Sequence, residues 1–408
     1  MAVAARRILL ADADAFFVAV ARMVDPEGAG REPLLIVGGT AASRGVVCSA
    51  SYETRKFGVR SAMPISRALR LCPGAMCVPV PRECGAKSAE IREVLGKYAP
   101  VVEGASVDEW YMDMTGTEAV YHHQPLAQTG QTIRRAVQES TGLTVSIGGG
   151  TNKLIAKLAV ERAKPKFGAS GVHIVPEGGE AAFLETFTLA ELPMVGPKFQ
   201  ERLAKLGMVT VPDVLRHDLH TLTRWFGERE AEWLWDRVHG ISETEVETGH
   251  GEAKSISRDD TFPVDLDDDR ELERELLALV TRAAFDLRGD GLAARTITVR
   301  IRDMDFQTRS AQKTIAEPVV SDRVIMGVAK QLLARLRKAR RVPARLLGVG
   351  LSHFSTDPRA DQLALFAEKK AIDPLAETDK DRVVARTVDK VREKFGAKGI
   401  IPAGLQRK

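Results

Sequence analysis

The chain opens with an apolar run, Ile8-Leu9-Leu10-Ala11, that ends in the alternation Asp12-Ala13-Asp14 and passes into Phe16-Phe17-Val18-Ala19-Val20. The first part of this pattern predicts a buried strand and the second a helix, so the acidic residues fall at the strand's end. A second β-type run, "PLLIVGG", precedes "RGVVCSASYETRKFGVRSAMP", where Gly and Pro punctuate short elements. Helical spacing then predicts a helix over 86–98, a strand pair around Asp108 and a helix over 124–140. The strand "LTVSIGGG" follows, and a helix opens near Asn152 and stops at Pro165. Mixed in this order, strands and helices predict an α+β sheet covered by helices.

From 185 to 240 the pattern changes to short helices around "LPMVGPKFQERLAKLGMVTVPDV", a second and all-helical module. Residues 241–256 are polar and turn-rich and read as a linker. A third unit has an α/β pattern: helical 270–289, strand-like "RTITVRIRD", helical 321–340 and strand-like "ARLLGVGLSHF". Beyond Phe354 the chain is sparse in apolar residues, apart from "QLALF" at 362–366 and a helix pattern at 379–395.

Length changes the picture by requiring several cores, because 408 residues exceed what one core supports and domains run to about 100–200 residues. Three to five modules are expected. No apolar run approaches the roughly 20 residues of a membrane span, which excludes a membrane protein. The N-terminal apolar run is broken at Asp12 and Asp14, too early for a secretory signal, and the expected compartment is the cytoplasm. Cys48, Cys72, Cys77 and Cys84 match no zinc spacing and read as reduced, structural thiols. The net charge of +4 conceals a local asymmetry: residues 291–350 hold 13 Lys/Arg against 4 Asp/Glu, and 259–275 hold 9 Asp/Glu against 2 Arg. A basic block on a folded module suggests a polyanion partner, with a solvated helix face as the alternative.

Candidate chemistry centres on "GASVDEWYMD", residues 104–113, where Asp108 and Glu109 sit side by side in a β-prone stretch. Each uncompensated buried charge costs several kcal/mol, so adjacent carboxylates near a sheet need a cation or solvent. With Asp12 at the end of another strand, three carboxylates are available for a pair of Mg²⁺ ions, which prefer oxygen ligands together with substrate phosphates. The decapeptide alone leaves open a solvent-facing hairpin turn. Tyr52 and Arg55 are three apart, so one helical turn would present both to one anionic group. Lys164 would add a further donor; alone, each is an ordinary surface residue. His122-His123 lies in a polar loop and reads as solvated.

Six stretches together resemble the Y-family DNA polymerases, most closely the bacterial DNA polymerase IV type: "ADADAFFVAV", "RGVVCSASYETRKFGVRSAMP", "SVDEWYMDMT", "SIGGGTNKLIAKLAVERAKP", "LPMVGPKFQERLAKLG" and "KSISRDDTF". They occur in the family's order between about residues 7 and 355. The resemblance implies a multidomain α+β right hand. Its expected parts are a palm (1–24 and 79–168) split by small fingers (25–78), a helical thumb with a helix-hairpin-helix (169–240), a linker (241–253), an α/β little finger that binds DNA (254–356), and a tail (357–408). It also implies template-directed, low-fidelity synthesis past damaged bases, joining a dNTP to a primer 3′-hydroxyl on primer-template DNA with two Mg²⁺ ions.

Residue by residue, the resemblance makes Asp12, Asp108 and Glu109 the catalytic metal ligands, with the Ala13 carbonyl completing one site. Tyr52, Arg55 and Lys164 become triphosphate contacts, and Phe17 the steric gate against a ribose 2′-hydroxyl. Without it, Phe16 and Phe17 would read as core. Ser106 would support the metal hairpin, Asp14 would stand behind the ligands, and the turn at Gly196 would let backbone N–H groups approach a phosphate. Gln362, Leu363, Leu365 and Phe366 resemble the peptide that docks on the sliding clamp, here with about 40 residues after it. A monomer is expected. The chain departs from the family pattern at Ala13, Ala15, Val18, Trp110 and the run Gly148-Gly149-Gly150. Two rival classes are a non-catalytic scaffold on damaged DNA, signalled by loss of a palm carboxylate, and a palm-type nucleotide cyclase, which has no thumb, basic little finger or clamp peptide.

Overall fold

The computed structural model describes residues 6–40, 44–165, 170–249, 251–355, 376–396 and 399–405, and the chain divides into two units between His250 and Gly251. Gln362–Phe366, expected as the clamp peptide, lies outside the described residues. No helix among the described residues is long and apolar enough to cross a membrane.

In the first unit β1 (Ile8–Ala13) leads into α1 (Phe16–Val24), followed by β2 (Leu35–Gly38), β3 (Val47–Ala50), the one-turn α2 (Tyr52–Arg55), α3 (Ile65–Leu71) and β4 (Met76–Val78). Next come α4 (Cys84–Gly96), β5 (Val101–Gly104), β6 (Glu109–Asp113), α5 (Leu126–Thr141), β7 (Val145–Gly150), α6 (Lys153–Ala163) and β8 (Val172–Ile174). The main sheet has the order β5-β6-β1-β7-β8, with β1 antiparallel to both neighbours. Every residue of β1 is buried, which is why it reads as a continuous apolar run. Leu9, Ala11 and Ala13 face a core built with α1, α4 and α5, while Ile8 and Leu10 pack on Ala156 and Val160 of α6. A smaller sheet, β3-β2-β4, has its own core around Ile36, Val59 and Ile65.

Helix α6 is apolar on almost every side because it serves two cores, the sheet and a helical module. That module comprises α7 (Glu180–Leu184), α8 (Pro197–Lys205), α9 (Val211–Leu215), α10 (Leu219–Phe226) and α11 (Glu228–His239), and Leu154, Ile155 and Leu158 of α6 join its core. The triple glycine of β7 is explained here. A Cβ on Gly148 would collide with the backbone of Ala156 and Val160, so glycine is what lets α6 lie directly on the sheet. Asn152 caps α6 by accepting from the Ile155 N–H at 3.0 Å. Pro165 holds Lys164 in an extended conformation that ends the helix.

The stretch expected as a linker is partly held against the first unit. Val246 packs beside Ile8 and Leu10, the Glu247 N–H donates to Glu103 at 2.9 Å, and Glu245 pairs with Arg6 at 2.9 Å.

The second unit has β9 (Ser255–Leu266), α12 (Asp269–Gly289), β10 (Ala293–Asp303), β11 (Thr308–Val319), α13 (Asp322–Ala339), β12 (Ala344–Ser355) and α14 (Asp379–Phe395). Its sheet order is β11-β10-β12-β9. Ile297, Val299 and Ile301 of β10 pack with α12 and α13 in one core. The charge asymmetry largely neutralises itself. Arg337 donates to Asp267 and Asp269, each at 2.7 Å, Arg309 and Arg340 pair with the buried Asp303, and Lys330 pairs with Glu273 at 2.7 Å. Part of the basic block is therefore internal cross-linking, while Arg300, Lys330 and Arg341 keep about half or more of their side chains exposed.

Helix α14 docks on this unit. Arg288 donates to both carboxylate oxygens of Asp389 at 2.5 and 2.8 Å and to Asp322 at 2.7 Å. Glu377 accepts from the N–H groups of Val320 and Ser321, and Arg323 forks onto Asp381.

Candidate active site

Strand register assembles the acidic residues. Asp12 on β1 lies opposite Glu109 on β6 and opposite Ser146 on β7. The Ala13 N–H donates to the Asp108 carbonyl at 2.9 Å, tying the end of β1 to the turn before β6. Ser106 donates to Asp108 Oδ1 at 2.5 Å and its hydroxyl accepts from the Asp108 N–H, so it does brace the turn. Asp14 is 8% exposed, takes the Ser146 hydroxyl at 2.7 Å on Oδ1, and leaves a buried Oδ2 without a partner.

Helix α6 and its cap bring lysines to this edge. Positions 153, 157 and 164 recur at i, i+4 and i+11 and so share one stripe. Lys153 donates to both oxygens of Glu103 at 2.7 and 2.8 Å, Lys157 pairs with Glu109, and Lys164 lies 2.9 Å from Asp12 and 2.6 Å from Glu161. The three expected ligands are thus neighbours in the sheet, yet each side chain turns to its own partner. Among the described residues no three His, Cys, Asp or Glu side chains surround a common point. The sequence shows the spacing of Lys157 from Lys153 and Lys164 but not what it pairs with.

Electrostatics set the protonation of these groups. Burial pushes the Asp12 carboxyl up to about 6, against the opposing pull of Lys164. Burial would lower the Lys164 ammonium, but the Asp12 and Glu161 carboxylates outweigh it and raise its pKa, so it stays cationic. Burial and then the charge of Asp14 push the Tyr52 phenol up to about 12, which keeps it a neutral donor.

Tyr52 and Arg55 occupy the single turn of α2, with the guanidinium 5.1 Å from the ring centroid. Arg55 Nε donates to the Ala50 carbonyl at 2.9 Å, which aims the rest of the fork. An open pocket of about 960 Å³ is walled by Tyr52, Glu53, Arg55, Lys56, Arg60, Ser61 and Pro165, the last following Lys164; Arg55, Lys56 and Arg60 against Glu53 leave the lining net cationic, which suits a polyphosphate. Phe17 is half-buried and meets the buried Phe16 edge-on at 5.6 Å. It packs at the margin of two cores rather than within either.

The oxygen-only donor set, the buried Asp12 and the unpartnered Asp14 oxygen fit a hard divalent cation. In the helical module Gly196 has an ordinary φ of −78° and open space around it; the left-handed residue of that turn is Met194, φ 71° and 81% exposed. One expectation changes elsewhere. All four cysteines are free, but Cys48 is exposed rather than structural. His122 and His123 are exposed.

Residues 11–161 match the impB/mucB/samB family, and 253–365 match the C-terminal domain of that family. A DNA polymerase IV of Dehalococcoides mccartyi (strain CBDB1) is 35% identical over 392 residues, 96% of this chain and 95% of the relative. A DNA polymerase IV of Streptomyces coelicolor is 34% identical over 371 residues, 91% of this chain and 75% of the relative. Among solved structures, a Y-family DNA polymerase chimera of Dbh and Dpo4 superposes with a TM-score of 0.74 at 25% identity, covering 86% of this chain and all of the other. An insertion ternary complex of Dbh DNA polymerase gives 0.57 at 26% identity, covering 85% of this chain and 98% of the other.

Proposed function

The chain belongs to the impB/mucB/samB family and is a Y-family DNA polymerase of the DNA polymerase IV type, and from that premise we propose how its residues perform template-directed, low-fidelity synthesis past damaged template bases. Enzymes of this family depend on a divalent metal; in our reading it is Mg²⁺, two ions per site, held by Asp12, Asp108, Glu109 and the Ala13 carbonyl. When bound, the ions neutralise phosphate charge and ease loss of the proton from the primer 3′-hydroxyl.

That hydroxyl oxygen forms the new bond to the α-phosphorus of the dNTP as the bond to the β-phosphate bridging oxygen breaks. Pyrophosphate leaves, and charge grows on it. Lys164, kept cationic by Asp12 and Glu161, the free arms of Arg55 and the neutral Tyr52 hydroxyl donate to it in the pocket beside the carboxylates. Phe17 places a flat apolar edge under the sugar, where a 2′-hydroxyl would be buried without a partner.

We assign 1–24 and 79–168 as palm, 25–78 as fingers, 169–240 as thumb, 254–356 as the DNA-binding little finger and 357–408 as a tail carrying the clamp peptide Gln362–Phe366. In this reading the protein is a cytoplasmic monomer on primer-template DNA. One observation carries the assignment: the register that sets Asp12 against Glu109, with Asp108 tied to Ala13, beside a cationic pocket. Primer extension with Mg²⁺ and dNTPs tests it. Asp108→Ala is expected to lower the rate at least about 10²-fold; extension equal to that of the unchanged protein rejects the assignment.

A further inference from the structure

Lys157 has no part in the mechanism above, yet it sits on Glu109 and its charge is felt at Asp12. One stripe of α6 and its cap therefore supplies a cation to each of Glu103, Glu109 and Asp12. Two of these carboxylates are the proposed metal ligands. The third is not, and Lys153 on Glu103 is further held by the Tyr111 ring at 4.7 Å, so it reads as fixed structure. Lys157 and Lys164 differ in that their partners have a second claimant.

We propose that Lys157 and Lys164 are exchangeable counter-ions, which occupy the carboxylates until divalent cations displace them. Buried Asp12 and half-buried Glu109 are disfavoured as anions by desolvation and mutual repulsion; the ammonium groups of Lys157 on α6 and of Lys164 at its cap offset that cost with opposite charge. The exchange has a consequence for order. Lys164 is bonded to Asp12, its charge reaches the Tyr52 phenol, and the following Pro165 lines the Tyr52–Arg55 pocket. With Asp12 engaged by a cation, Lys164 would be free to donate to a triphosphate. Lys157, released from Glu109, acts only through that ligand and is a positioning residue that sets how tightly metal binds.

The inference rests on the carboxylates being metal ligands, so its test separates the two. Binding of Mn²⁺ alone, without nucleotide or DNA, is measured on the full chain by electron paramagnetic resonance. Lys157→Met is expected to bind Mn²⁺ about two- to fivefold more tightly, the range set by one partly exposed ion pair. Lys157→Arg keeps the charge and is expected to match the unchanged protein, which excludes a mere packing effect. Unchanged or weaker Mn²⁺ binding in Lys157→Met, with binding lost in Asp108→Ala, overturns this inference alone. Absence of Mn²⁺ binding to the unchanged protein overturns both.

Discussion

Burial moves the Asp12 carboxyl from 3.8 to about 6 even though Lys164 pulls against it. The folded chain therefore holds that proton more tightly than the unfolded chain does. The charge costs nothing below about pH 4, where both states are protonated; its cost grows toward about pH 6 and is constant above, where both are ionised. In EDTA, Asp12→Asn is expected to gain melting temperature relative to the unchanged protein between about pH 4 and 6, with no further gain at higher pH. A difference that is flat across that range would show that burial is not felt at Asp12. Phe17→Ala is expected to lower discrimination against ribonucleotides by a factor of about 10 to 200, measured as the ratio of kcat/KM for dNTP and rNTP; an unchanged ratio removes the gate role. Asp108 and Glu109 stand out in the sequence as an acidic pair in a β-prone stretch, but that stretch alone leaves a solvent-facing turn open, and their role as ligands follows only from the resemblance of six motifs together. Lys157 does not stand out, because a lysine on a helix is ordinary until the sheet beneath it is known.

Periodicity located most elements. The pattern at 379–395 became α14 over the same residues, and the helix opening at Asn152 became α6. The pattern does not predict strand β11, since "TRSAQKTIAEPV" is an edge strand with mostly polar, exposed positions. β9, at the opposite edge, is similarly exposed and was visible only as a motif. Edge strands show one side of their hydrogen-bonding groups to solvent and need few apolar residues. The docking of α14 was also illegible, because a charged helix does not announce its partner. Arg288, with a side chain 7% exposed, is the hub of that contact. Replacing it leaves two carboxylates without their cation, at a cost of roughly 3 kcal/mol. Arg288→Met is expected to speed amide hydrogen exchange across 379–395 about 10²-fold; unchanged exchange would mean that the helix is held by other contacts.

At the level of the whole molecule, length predicted several cores, and the described residues contain separate ones for the main sheet, the small sheet, the helical module and the second unit. Net charge was a poor guide, because acidic 259–275 and basic 291–350 answer each other through Arg337, Lys330 and Arg300. What unites the first unit is α6, which belongs to two cores and carries its lysines to the acidic edge of the sheet. The most direct test of the account is anomalous diffraction from crystals grown with primed template, an incoming dNTP and Mn²⁺. Two manganese peaks bounded by Asp12, Asp108 and Glu109 are expected, with Lys164 turned to the triphosphate; manganese bound elsewhere, or those carboxylates still paired with lysine in the complete complex, would rule out the two-metal reading.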